Sequence, residues 1–76
     1  MIYFDAEVDA IGLKCPMPML KCKKGLNQLE RKGVLKIMTT DKDAKKDFDF
    51  FCKQTGHKIL SIEDHESVTT FFIEKA

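Results

Sequence analysis

The chain opens on a two-residue alternation in which Ile2, Phe4, Ala6 and Val8 are apolar and Tyr3, Asp5, Glu7 and Asp9 lie between them. Successive side chains of an extended segment point to opposite faces, so this period predicts a strand with one buried face. The period then changes. Cys15, Met19, Cys22, Leu26 and Leu29 recur at steps of four, three, four and three, the spacing of one stripe along a helix. That stripe predicts a helix running to about Gly33, with Gly12 permitting the turn that leads into it. Gly25 falls within the helix, where a glycine costs about 1 kcal/mol relative to alanine, and close approach of helix to sheet would account for it.

Residues 34–40 are rich in β-branched side chains and predict a second strand. Strand, helix and strand in this order predict a right-handed crossover with the strands parallel. Asp41 or Asp43 can cap a second helix, whose inward stripe is Ala44, Phe48, Phe51, Cys52 and Thr55 and whose stop is Gly56. Phe50 points away from that stripe and is a candidate contact residue. Residues 57–64 and 67–75 form two extended runs around His65-Glu66, the pattern of an antiparallel hairpin. The predicted order is βαβαββ. Both helices need a sheet face to cover their stripes, so the expected fold is α+β, a two-layer α/β sandwich with two helices on one face of a four-stranded mixed sheet. Met38, Ile59, Phe71 and Ile73 are expected on the opposite face. In a parallel pair both strand-to-helix turns lie at one sheet edge, which brings Thr39, Thr40 and Asp41 toward the start of the first helix.

The 76 residues are expected to make one domain, 1–76, with a thin core and no deep substrate pocket. With 43% hydrophobic and 33% charged residues the chain is of the globular class, and no apolar run is long enough to span a bilayer. Residues 1–5 lack a basic segment followed by an apolar one, so a cytoplasmic protein is expected. Cys15, Cys22 and Cys52 are an odd number of thiols without C-x-x-C spacing, which favours neither a disulfide framework nor a metal site; no cofactor is expected. The net charge is only +1, yet residues 10–36 hold seven basic residues against Glu30 alone, +6, which leaves −5 on the remainder. Such a field steers an acidic partner, with Lys21 and Lys24 as candidate partner-binding residues, although a lysine face kept for solubility has the same composition. Direct nucleic-acid binding is not expected, because the basic residues lack interleaved aromatics or a recognised motif.

The candidate chemistry lies in Gly12-Leu13-Lys14-Cys15-Pro16-Met17-Pro18. Two prolines one residue apart would break a helix interior but cost little in a first turn, where backbone N–H groups have no intrahelical partner. Pro16 then reads as the first helical position, Pro18 as the third and Cys15 as the N-cap. A thiol there faces the positive end of the helix dipole and the N–H groups of Met17 and Met19, with Lys14 beside it. These are conditions that favour the thiolate. The plainer alternative is that Cys15 is a small apolar residue at the top of the core stripe. Asp41 is either a cap or a supporting group around the sulfur.

The run Asp9-Ala10-Ile11-Gly12-Leu13-Lys14-Cys15-Pro16-Met17-Pro18 closely resembles the C-P-x-P signature of the TusA/SirA-like sulfur-carrier family. Thr40-Asp41, Asp47, Phe51-Cys52 and Gly56-His57 extend the resemblance over nearly the whole chain. It implies the same fold and a persulfide carrier in which Cys15 accepts sulfane sulfur, often from a cysteine desulfurase, and passes it to a downstream acceptor protein. The pathway, tRNA thiolation for example, varies among members. Two other readings of the residues remain open: a regulatory or protein-interaction module in which Cys15 only caps a helix, and a redox-sensing thiol that oxidises to sulfenate.

Overall fold

The computed structural model describes residues 3–76, so Ile2 lies outside the described residues. Its elements are β1 (Ala6–Ala10), α1 (Met17–Asn27), β2 (Val34–Thr39), α2 (Ala44–Thr55), β3 (Lys58–His65) and β4 (Val68–Glu74). The order βαβαββ is the predicted one. The four strands form one mixed sheet in the order β1-β2-β4-β3, with β1 parallel to β2 and β4 antiparallel to both of its neighbours. β3 and β4 make the expected hairpin, whose turn places Glu66 at a positive φ of 57°.

The core lies between the sheet and the two helices. Cys22 and Leu26 of α1 and Ala44, Phe48 and Cys52 of α2 pack on Ala10, Leu35, Ile37, Phe71 and Ile73 of the sheet. Phe48 and Phe71 form its centre, with ring centroids 4.6 Å apart. α2 ends as the sequence predicts, with Gly56 at φ 87° donating its N–H to the Cys52 carbonyl at 2.8 Å.

Gly25 marks the closest approach of α1 to the sheet. A Cβ there would lie 3.0 and 3.1 Å from the two Cδ atoms of Leu35 and 3.2 Å from Cγ2 of Val8. Leu35 is fully buried, so its side chain gives way only by displacing its own packing neighbours. Gly25→Ala is therefore expected to destabilise the domain by about 1 kcal/mol, overpacking outweighing the gain in helix propensity. A raised melting temperature would show instead that Leu35 yields.

Two boundaries and one sheet face differ from expectation. The chain bends at Asp5, whose N–H donates to the Val34 carbonyl and whose carboxylate accepts the Val34 N–H, both at 2.8 Å. Phe4 consequently leaves the face of Ala6 and Val8 and packs near Phe72, with Lys36 Nζ 5.1 Å from its ring centre. α1 stops at Asn27 rather than near Gly33, because tertiary bonds replace the missing helical ones: Lys75 Nζ donates to the Leu29 carbonyl at 2.7 Å, and the Lys32 N–H to the Lys75 carbonyl at 3.0 Å. The outer sheet face carries Met38 as expected, but Phe71 and Ile73 are fully buried beneath the helices and Ile59 packs beside them. The pairing of Ile37 with Phe71 and of Leu35 with Ile73 fixes this assignment, which sends Phe72 outward opposite Lys36.

Candidate functional site

Between β1 and α1 the chain is braced residue by residue. The Ile11 N–H donates to Asp9 Oδ1 at 2.9 Å and the Leu13 N–H to the Ala10 carbonyl at 3.2 Å. Gly12 adopts φ 83° in open space, so its role is conformational, and its N–H donates to Thr40 Oγ1 at 2.9 Å. That bond joins the two strand-to-helix turns at one sheet edge, as the parallel pairing requires. The backbone then turns over Cys15 and Pro16, which are linked by a cis peptide bond, with the Met17 N–H donating to the Lys14 carbonyl at 2.9 Å.

This turn moves the helix start by one position. Pro16, rather than Cys15, is the N-cap, and Met17 and Pro18 are the first two helical residues. The Met17 N–H is spent on Lys14 instead of pointing free toward the sulfur. Pro18 is buried and wedges the turn against the fold, whereas Cys15 is exposed. The thiol is therefore carried just ahead of α1, on the sheet edge, outside the core stripe that its spacing had suggested.

The other two thiols are buried. Burial, with Cys52 nearby, pushes the Cys22 thiol up to about 12, and burial together with Asp49 pushes Cys52 up to about 11. Both stay protonated through neutral pH. Native alkylation with iodoacetamide at pH 8 is thus expected to modify Cys15 alone, with all three thiols reacting after denaturation; peptide mapping checks this, and early native labelling of Cys22 or Cys52 would contradict it.

Two surfaces flank Cys15, and a third element is tied to the loop that precedes it. On the outer face of α1, Met17 (43% exposed) and Leu20 (50%) stand beside Lys21 and Lys24, and among the described residues Lys14, Lys21 and Lys24 have no carboxylate partner. On the other side a groove of about 890 Å³ runs between α1 and α2, lined by Cys15, Pro16, Met19, Lys23, Phe50 and Phe51 among others. Phe50 is 65% exposed in it. The Thr40 turn is tied to that loop through the Gly12 N–H. Asp41 belongs there: its N–H donates to Thr39 Oγ1 at 3.0 Å and its Oδ1 accepts the Asp43 N–H at 3.2 Å, at the entry to α2. It lines a separate cleft with Lys42 and Thr69, not the groove of Cys15. His57 accepts the Ala76 N–H at Nδ1, and His65 lies in the hairpin, so neither histidine lines that groove.

The groove exceeds what the composition suggested. Phe50 was visible in the sequence as an off-stripe aromatic, but Lys23, Lys46 and Phe51 join it only because α1 and α2 lie side by side. The adjacent phenylalanines were the available signal, since two consecutive helical positions cannot both face the core.

Fold and site together define a small α/β domain that presents one accessible thiol on a braced turn. A family model described as Sulfurtransferase TusA matches residues 6–75. The chain is 42% identical to the sulfur carrier protein TusA of Allochromatium vinosum over the full length of both. It is 41% identical to the putative sulfur carrier protein YrkI of Bacillus subtilis, covering 93% of this chain and 95% of that one. The crystal structure of a SirA-like protein from Desulfitobacterium hafniense has the same fold, with a TM-score of 0.81 at 24% identity over 92% of this chain and 96% of the other. The chain belongs to the TusA family of sulfur carriers. Among the described residues no helix is long and apolar enough to cross a membrane.

Proposed function

We propose that this sulfur carrier holds its cargo as a persulfide on Cys15. The observation that carries the reading is the contrast among the three cysteines: Cys15 is exposed on a braced turn, and Cys22 and Cys52 are buried. In the loading step the Cys15 thiolate attacks the outer sulfur of a donor persulfide. A new S–S bond forms at Cys15, the donor's own S–S bond breaks, and its electron pair leaves with the donor thiolate. In delivery the acceptor thiolate attacks the outer sulfur of Cys15-S-SH and Cys15 departs as thiolate. Neither step needs a metal ion or a neighbouring base when the attacking sulfur is already ionised, and Cys22 is too deeply buried to act as a resolving thiol.

The donor in this reading is a protein such as a cysteine desulfurase, and the acceptor is a second protein downstream. Pro16 and Pro18 fix the turn, Asp41 holds the neighbouring loop through Asp43, and Lys14, Met17, Lys21 and Lys24 meet the partner. Unpaired ammonium groups around exposed apolar side chains suit a partner with an acidic rim and an apolar centre. Three unpaired cysteines support assignment to the cytoplasm, where thiols are kept reduced. Reversing Lys21 and Lys24 to glutamate is expected to slow association with the donor about tenfold at low salt, with the difference shrinking as salt rises. Stopped-flow association rates test it, and an unchanged rate would remove these lysines from the interface. Partners caught as mixed disulfides through Cys15 identify the donor and acceptor.

A further inference from the structure

The groove between α1 and α2 is not needed for transfer between two proteins at an exposed thiol, yet it opens directly onto Cys15. Its volume, about 890 Å³, is of the size that holds small molecules. Its apolar lining is Pro16, Met19, Phe50 and Phe51. Lys23 Nζ stands 5.5 Å from the Phe51 ring centre, and Lys46 lines the same space. Lys53 and Asp49 pair with each other at 3.0 Å, so two free ammonium groups face one free carboxylate, Asp47, among the described residues. An occupant with an apolar arm and a negative charge matches this lining.

We infer that the groove binds a small organic sulfane anion, an organic thiosulfonate or persulfide, from which Cys15 is loaded without a protein donor. The inference rests on the reading of Cys15 as the sulfur-bearing group. The arm lies against Met19, Phe50 and Phe51, and Lys23 and Lys46 meet the charge. With a thiosulfonate, R-SO2-S⁻, the Cys15 thiolate attacks the terminal sulfur and an S–S bond forms. The bond from that sulfur to the sulfonyl group breaks, and its electron pair leaves on the sulfinate R-SO2⁻. Cys15-S-S⁻ remains, and no outside oxidant or reductant is consumed.

Benzenethiosulfonate supplies the arm and thiosulfate lacks it, while both deliver the same terminal sulfur. Loading of the full chain by each donor is followed by intact mass. The loading rate is expected to saturate with benzenethiosulfonate concentration. In Phe50→Ala, a change at an exposed position, the ratio of the benzenethiosulfonate rate to the thiosulfate rate is expected to fall about fivefold, the scale of one lost aromatic contact. An unchanged ratio, the result if the groove serves a segment of a partner protein, overturns the inference. So does failure of both small donors on protein that a cysteine desulfurase loads. If no donor of any kind, the desulfurase included, adds sulfur, the carrier reading itself falls.

Discussion

Cys15→Ser is expected to end sulfur transfer outright while leaving the fold and its stability unchanged. The side chain is exposed and outside the buried cluster, so the substitution belongs with surface changes that move stability by no more than about 0.5 kcal/mol. The chemical loss is of a different order. A serine hydroxyl is un-ionised at neutral pH and forms no persulfide, and the buried thiols cannot take over because each is protonated and covered. Transfer from donor to acceptor, followed with labelled sulfur, is therefore expected to drop to the background rate, with the melting temperature of wild type retained. Full transfer by Cys15→Ser would mean that the residue only shapes the turn, as an interaction module would require.

The second large effect lies in the core. Phe48 is 1% exposed and its ring sits 4.6 Å from that of Phe71, where α2 meets the centre of the sheet. Truncation to alanine removes that contact and leaves a cavity that the strands and helices around it close only in part. Phe48→Ala is expected to cost about 3–5 kcal/mol, a large share of the stability of so small a domain. Urea unfolding should show a lowered midpoint with nearly the same slope. A loss below about 1 kcal/mol would mean that the core collapses onto the vacancy.

Where one periodic stripe met one partner surface, the fold was legible in the sequence. Cys22 with Leu26, and Ala44 with Phe48 and Cys52, face the sheet as their spacing requires. Gly56 ends α2, and Gly25 marks the close approach that its cost implied. Consecutive apolar residues were not legible. Phe71, Phe72 and Ile73 do not alternate with polar residues, so only the register against β2 decides that the middle one faces outward. The early end of α1 was equally hidden, because Gln28 to Lys32 contain no breaker and the bonds that divert them come from Lys75, far along the chain.

The site divides in the same way. Its residue types and the braced turn were readable from Gly12, Cys15, Pro16 and Pro18, local features whose chemistry needs few distant groups. The placement of the sulfur differs by one residue from the cap position, since the turn closed by Met17 onto Lys14 precedes the helix and no periodicity reports such a turn. Of the groove only Phe50 was readable, as an aromatic off the stripe of α2, because its two walls come from different helices.

Location of the transferred sulfur tests the central claim most directly. The protein is incubated with a cysteine desulfurase and sulfur-labelled cysteine, trapped with an alkylating agent and digested, and the persulfide is mapped by peptide mass. The account predicts one added sulfur, confined to the peptide that contains Cys15. Label on the peptides of Cys22 or Cys52, or none on a protein whose Cys15 remains free to alkylate, would contradict it.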